Sequence, residues 1–205
     1  MSLLALELCG VVAFAISGAL VAIDHKMDVF GVSILGAVTA MGGGFIRDLC
    51  LGITPPLVLA KPIYAITAII TSLIIFLPPV RKTFHKREEL FDTVVFIADT
   101  LGLSIFAMSG IQTAYDSLIE YNVFLLVFMG LVSGTGGSIL RDVLCGQTPY
   151  IFVKHFYASA DIIGSLVAIS LWENAGSTAA IIMGAFVIIV LRFFAARFRW
   201  SLPHA

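Results

Sequence analysis

The chain has 205 residues, of which 60% are hydrophobic and 12% charged, with a formal net charge of −1. A soluble domain carries roughly twice that charged fraction, so the composition points to an all-α integral membrane protein forming one membrane domain over 1–205. The same balance leaves no basic surface for nucleic acid. No phosphate loop, zinc signature or nucleophile motif suggests an enzyme or a cofactor.

A spanning helix needs about 20 mostly apolar residues, and seven segments are predicted to cross the membrane. The first, 3–23, lacks a basic region and a cleavage site and is read as a retained span. The second, 29–52, contains Gly42-Gly43-Gly44 and stops before Thr54-Pro55-Pro56, because proline cannot continue a helix. The third, 61–77, is ended by Pro78-Pro79, and the fourth covers 92–113. The fifth, 122–145, contains Gly136-Gly137-Ser138 and gives way at Gly146-Gln147-Thr148-Pro149. The sixth covers 154–171 and the seventh 178–194, the latter extending to 196 with its polar edge. Cys9, Cys50 and Cys145 have no metal spacing and read as packing residues. His25, His85, His155 and His204 form no metal set.

Lysine and arginine in short loops set the orientation. Arg81, Lys82, Lys86 and Arg87 link the third and fourth spans, and Arg192, Arg197 and Arg199 mark the C-terminal end. The opposite loops hold Asp116, Glu120 and Glu173. This places the N-terminus outside and the C-terminus in the cytoplasm, in a membrane read as a prokaryotic plasma membrane.

The chain carries an internal duplication. Phe14-Ala15-Ile16-Ser17-Gly18 returns as Phe106-Ala107-Met108-Ser109-Gly110. Arg47-Asp48, Gly52, Thr54 and Pro55 return as Arg141-Asp142, Gly146, Thr148 and Pro149. Lys61, Tyr64 and Ala65 return as Lys154, Tyr157 and Ala158, and Glu7 is matched by Asp99. Two units follow, 3–78 and 92–172, each with three spans. An odd span count turns the second unit upside down relative to the first, which puts their shared seam near the midplane. The seventh span has no counterpart and is assigned to packing or oligomerisation.

The duplicated motif is costly in lipid. Glycine weakens a helix by roughly 1 kcal/mol relative to alanine, so a triplet invites a kink or an unwound turn. Two roles are open for it: carbonyls exposed to a transient potassium or sodium ion, or close helix packing. Gly130-x-x-x-Gly134 fits packing. Arg47 and Asp48 are neighbours, pointing about 100° apart on a helix, and are not expected to neutralise each other. Depth instead pairs Glu7 with Arg47 and Asp99 with Arg141, either as static bridges or beside a polar path. Lys61 and Lys154 begin spans, with Tyr64 and Tyr157 one turn on. They are either interface anchors or gates reaching into the path. Asp161 follows Lys154 on the same face, matched in the first unit by Ala68, and either holds Lys154 or attracts cations.

Two copies of Gly-Gly-x-x-x-Arg-Asp-x-x-x-Gly-x-Thr-Pro in a seven-span chain resemble the prokaryotic branch of the trimeric intracellular cation channels. The same family is also labelled a glycine transporter domain. The resemblance implies a homotrimer in membrane lipid, each protomer with its own pore. It implies second and fifth helices kinked at Gly42-Gly43-Gly44 and Gly136-Gly137, and a monovalent cation flux, chiefly potassium. Ser138 replaces Gly44 in the second copy, implying a milder kink or a hydroxyl ligand.

Two functions remain open on this basis. One is a passive cation channel with an hourglass path lined at its waist by the glycines and by Ser17, Ser109, Thr39 and Ser133. The other is a carrier for a small zwitterion such as glycine, its amino group near Asp48, Asp142 or Asp161.

Overall fold

The computed structural model describes residues 3–85, 87–117, 120–153 and 156–200, and these are helical with short connections. The helices in chain order are α1 (Leu3–Asp24), α2 (Val29–Cys50), α3 (Leu57–Ala60), α4 (Ile63–Phe76), α5 (Pro78–His85), α6 (Glu88–Ser117), α7 (Val123–Leu144), α8 (Tyr150–Val153), α9 (Tyr157–Ala175) and α10 (Ser177–Phe198). Five of them, α1, α2, α6, α7 and α10, are long and apolar enough to cross a membrane.

The glycine-bearing helices α2 and α7 are built by the same local devices. Each starts on a side chain that accepts a first-turn N–H, Asp28 from Gly31 and Asn122 from Leu125, both at 2.8 Å. Each ends at a glycine with positive φ, Gly52 at 70° and Gly146 at 68°. There the chain folds back, with Ile53 N–H donating to the Asp48 carbonyl and Gln147 N–H to the Asp142 carbonyl.

The third expected span is divided. Pro62 separates α3 from α4, which has 14 residues. At 1.5 Å per residue such a helix is about 21 Å long, short of a bilayer core of about 30 Å. Pro78-Pro79 ends α4 as expected and also opens α5, since a proline in the first turn gives up an N–H that has no helical partner there. The fourth expected span begins earlier, at Glu88, in a helix of 30 residues.

The helices α1, α2, α6 and α7 form a ring in which each packs against two neighbours. On its outside α4 packs on α1 and α2, α9 on α7 and α10, and α10 also on α6. At the centre Phe14 and Phe106, counterparts in the duplicated sequence, stack with centroids 5.5 Å apart. Cys9 and Cys50 face outward instead of packing inside.

Candidate functional site

Both Arg-Asp pairs are buried, and each closes on itself. Arg47 directs Nε and its second terminal nitrogen to Asp48 Oδ1, both at 2.8 Å. Arg141 does the same with Asp142 Oδ1, again at 2.8 Å. This corrects the expectation that neighbouring residues would point apart. The aspartates are turned by a second bond, since Asp48 Oδ2 accepts the Leu57 N–H at 2.7 Å and Asp142 Oδ2 the Tyr150 N–H at 2.9 Å. The first-turn N–H groups of α3 and α8 thus fix the carboxylates, and the long arginine side chains curl back to meet them.

The other side of each guanidinium reaches across the ring. Arg47 lies 3.6 Å from Glu7 and donates to Ser109 at 3.0 Å, while Ser109 donates to Glu7 at 2.6 Å. Arg141 binds Asp99 at 3.0 Å and Ser17 at 2.6 Å. The paired groups expected from depth are therefore in contact. The serines bind the arginine of the opposite sequence copy, so the exchange is reciprocal.

The two clusters differ in their remaining partners. Tyr64, buried in α4, donates its hydroxyl to Glu7. Asp99 instead takes Arg192 from α10 at 3.0 Å, and that guanidinium lies over the Tyr157 ring at 4.1 Å. Cluster one holds one more carboxylate than guanidiniums, and cluster two is balanced. A buried carboxylate without a cation is costly, so hydroxyls and N–H groups take up the excess in cluster one.

Of the two roles left open for the glycines, the structure shows close helix packing, without the kink that the resemblance implied. Both α2 and α7 stay α-helical through Gly42-Gly43-Gly44 and Gly136-Gly137, so these segments are not broken. An added Cβ on Gly43 would collide with the Ser133 carbonyl, and one on Gly137 with the Thr39 carbonyl. A Cβ on Gly136 would come 3.0 Å from the Gly43 Cα. Close dispersion contact offsets the low helix propensity here, and an unwound turn in apolar surroundings would strand its carbonyls. On the flanks, Gly42 meets Leu140 and Gly44 meets Val58.

Among the hydroxyls, Thr39 donates to Leu35 O at 2.7 Å, and Ser138 to Thr135 O at 2.9 Å with Tyr157 Oη 3.0 Å away. Ser133 Oγ is buried without a partner. Asp161 is buried and accepts from Ser165 at 3.1 Å. Lys61 is exposed at the end of α3 and stands outside the ion pairs of the two clusters among the described residues. Lys154 and His155 lie outside the described residues.

Cluster two opens into a cavity of about 590 Å³ bordered by Asp99, Arg141, Asp142, Tyr157 and Arg192, with Asp24 and Asp92 further out. A second cavity of about 420 Å³ shares Asp24, Phe91 and Asp92 and adds Lys26 and Arg81. Arg192 and the buried tyrosines were not expected here from sequence. An arginine inside an otherwise apolar span was the available signal for Arg192.

The sequence model of a family described as glycine transporter matches residues 4–78 and 96–173. A UPF0126 membrane protein of Deinococcus radiodurans is 37% identical over 200 residues, 97% of this chain and 89% of that protein. The UPF0126 inner membrane protein YadS of Escherichia coli is 34% identical, covering 97% of this chain and 93% of that one. Among solved structures, one TRIC cation channel is 36% identical with a TM-score of 0.85, covering 100% of this chain and 98% of that one. The TRIC trimeric intracellular cation channel orthologue from Rhodobacter sphaeroides is 30% identical with a TM-score of 0.87, covering 97% and 98%. With its duplicated Gly-Arg-Asp motif and these matches along nearly its whole length, the chain belongs to the family described as glycine transporter, and the solved structures it resembles include TRIC cation channels.

Proposed function

We propose that the protein is a passive monovalent cation channel, chiefly for potassium, with one path in each protomer of a homotrimer. The observation that carries this reading is the pair of buried clusters of ion pairs and hydroxyls between α1, α2, α6 and α7, in a bundle that superimposes on TRIC cation channels. One cluster joins Glu7, Arg47 and Ser109, and the other joins Ser17, Arg141, Asp99 and Arg192. Excess carboxylate in cluster one favours cations over anions. The arginines do not repel a passing cation strongly, because each is bound to carboxylates.

The path is an hourglass, wide at the cavity of about 590 Å³ and narrow where Gly43 and Gly137 meet. No unwound carbonyls are freed there, because the helices stay closed. Conduction requires the glycine contact to part, and surfaces without side chains separate with no interlock to break.

The chain crosses the membrane seven times, through α1, α2, α3 with α4, α6, α7, α9 and α10. The units 3–78 and 92–172 are inverted copies and 178–196 stands apart. Reciprocal contacts, Arg47 with Ser109 and Arg141 with Ser17, are what a two-fold relation produces, and they support this arrangement. The basic residues Arg81, Arg192, Arg197 and Arg199 lie on the cytoplasmic side of a prokaryotic plasma membrane, with the N-terminus outside.

A second reading is a carrier for a small zwitterion such as glycine. The family description favours it, and so does a cavity lined by both carboxylates and guanidiniums. Vesicles loaded with potassium separate the two. A channel releases the ion down its gradient without any amino acid present, whereas a carrier takes up labelled glycine with saturation.

A further inference from the structure

The two copies of the duplicated sequence diverge at one buried contact. In the first copy Gly36 of α2 faces Ser72 of α4, and in the second Gly130 of α7 faces Ser165 of α9. One turn further, the first copy has Ala40 and Ala68, both buried in one apolar cluster. At the matching places the second copy has Gly134 and Asp161. The two changes compensate each other. A Cβ on Gly134 would lie 2.9 Å from Asp161 Oδ2, so the glycine supplies the space that the carboxyl fills.

Asp161 differs from the other carboxylates buried among these helices. Glu7, Asp48, Asp99 and Asp142 each lie against a guanidinium. Asp161 is fully buried, and only its Oδ1 has a partner, Ser165 at 3.1 Å. Its Oδ2 has none, and neither has Ser133 Oγ on α7. Among the described residues these are the two buried side-chain polar atoms left unpaired. An ionised carboxylate in that position would be both desolvated and uncompensated.

We propose that Asp161 is a proton-binding site, holding its carboxyl neutral at the contact between α6, α7 and α9. A bound proton removes the charge and turns one carboxyl oxygen into a donor. The Leu103 carbonyl of α6 borders the same space, 3.0 Å from the position a Gly134 Cβ would take. Leu103 Cδ1, 3.1 Å from the same position, makes one wall apolar, which does not suit a dehydrated metal cation that needs several oxygen ligands.

The other buried charged and titratable groups on the helices that pack here are Arg192 on α10, Asp99 on α6, Arg141 and Asp142 on α7 and Tyr157 on α9 itself. Arg192, Asp99 and Arg141 are already bonded in one chain. Arg192 is held by Asp99, which borders the cavity of about 590 Å³. The binding of the proton does not rest on the channel reading.

Infrared spectroscopy of the purified protein in lipid tests the site without any transport assay. The wild type is expected to show a protonated carboxyl band at neutral pH that shifts in heavy water, fades as the pH is raised, and is missing in Asp161→Asn. The double variant Gly134→Ala with Asp161→Ala rebuilds the pair of the first copy. It is expected to fold, to lack the band, and to be more stable than either single variant. Absence of the band in the wild type overturns the proposal, as does its survival in both variants. So does a band that disappears when potassium or sodium is added at constant pH, which would make the site a metal site.

Discussion

Gly43 and Gly137, counterparts in the duplicated sequence, each press a bare Cα against the backbone of the opposite helix. Gly43 lies on the Ser133 carbonyl and Gly137 on the Thr39 carbonyl. The crossing of α2 and α7 is thus set by backbone contact.

Alanine at either position is expected to destabilise the protein although alanine favours helices by about 1 kcal/mol. The blocked Cβ meets a carbonyl that belongs to a helix and cannot turn away, a case of overpacking that costs about 1–3 kcal/mol. Thermal unfolding in detergent checks this, with both single variants expected to melt below the wild type. The two sites share one contact, so the double variant is expected to lose less than the sum of the singles.

Neutralising Asp99 is expected to do more harm than neutralising Glu7. Asp99 holds two guanidiniums at 3.0 Å, and its loss leaves Arg192 with no carboxylate partner. Glu7 shares Arg47 with Asp48, which keeps its closer contact. Breaking a buried pair costs about 3–5 kcal/mol, and Asp99→Asn is expected near that range with Glu7→Gln well below it. Unfolding midpoints of the two variants decide the order. Equal losses would show that Arg192 contributes nothing through Asp99.

Asp48→Ala and Asp142→Ala each remove an arginine partner and the acceptor for an N–H of the following short helix. Losing such a cap costs about 1 kcal/mol, in addition to the cost of a buried guanidinium deprived of its nearest carboxylate. The connections 51–62 and 145–156 are expected to become cleavable in limited proteolysis. Asp48→Asn and Asp142→Asn keep an acceptor oxygen and are expected to resist cleavage better than the alanine variants.

Lys61→Gln is expected to change stability by no more than about 0.5 kcal/mol, since the side chain is exposed and outside both clusters. Unitary conductance is expected to match the wild type. A marked change in conductance at constant stability would return Lys61 to the ion path.

Much of the charge arrangement was legible before the structure. Position along the spans puts Glu7 at the depth of Arg47 and Asp99 at the depth of Arg141, and both contacts are present. The bonds of Arg47 to Asp48 and Arg141 to Asp142 were not legible. Helix geometry separates adjacent Cβ vectors and says nothing about a long side chain curling back onto a carboxylate fixed from elsewhere. The continuity of α2 through its glycines was hidden for a similar reason. Propensity measures the cost of glycine in an isolated helix and omits the partner helix that offsets it. Arg192 counted toward orientation as a charge near the chain end, and only packing of α10 on α6 and α9 brings it to Asp99. Tyr64 and Tyr157 lie near helix starts, the usual place for interface anchors, yet both are buried.

The central claim is that a cation crosses each protomer without a co-substrate, and planar-bilayer recording of the purified protein tests it most directly. With potassium as the sole permeant cation, the account predicts unitary current steps that reverse at the potassium equilibrium potential. A silent bilayer, together with saturable glycine uptake by the same preparation in vesicles, would contradict it.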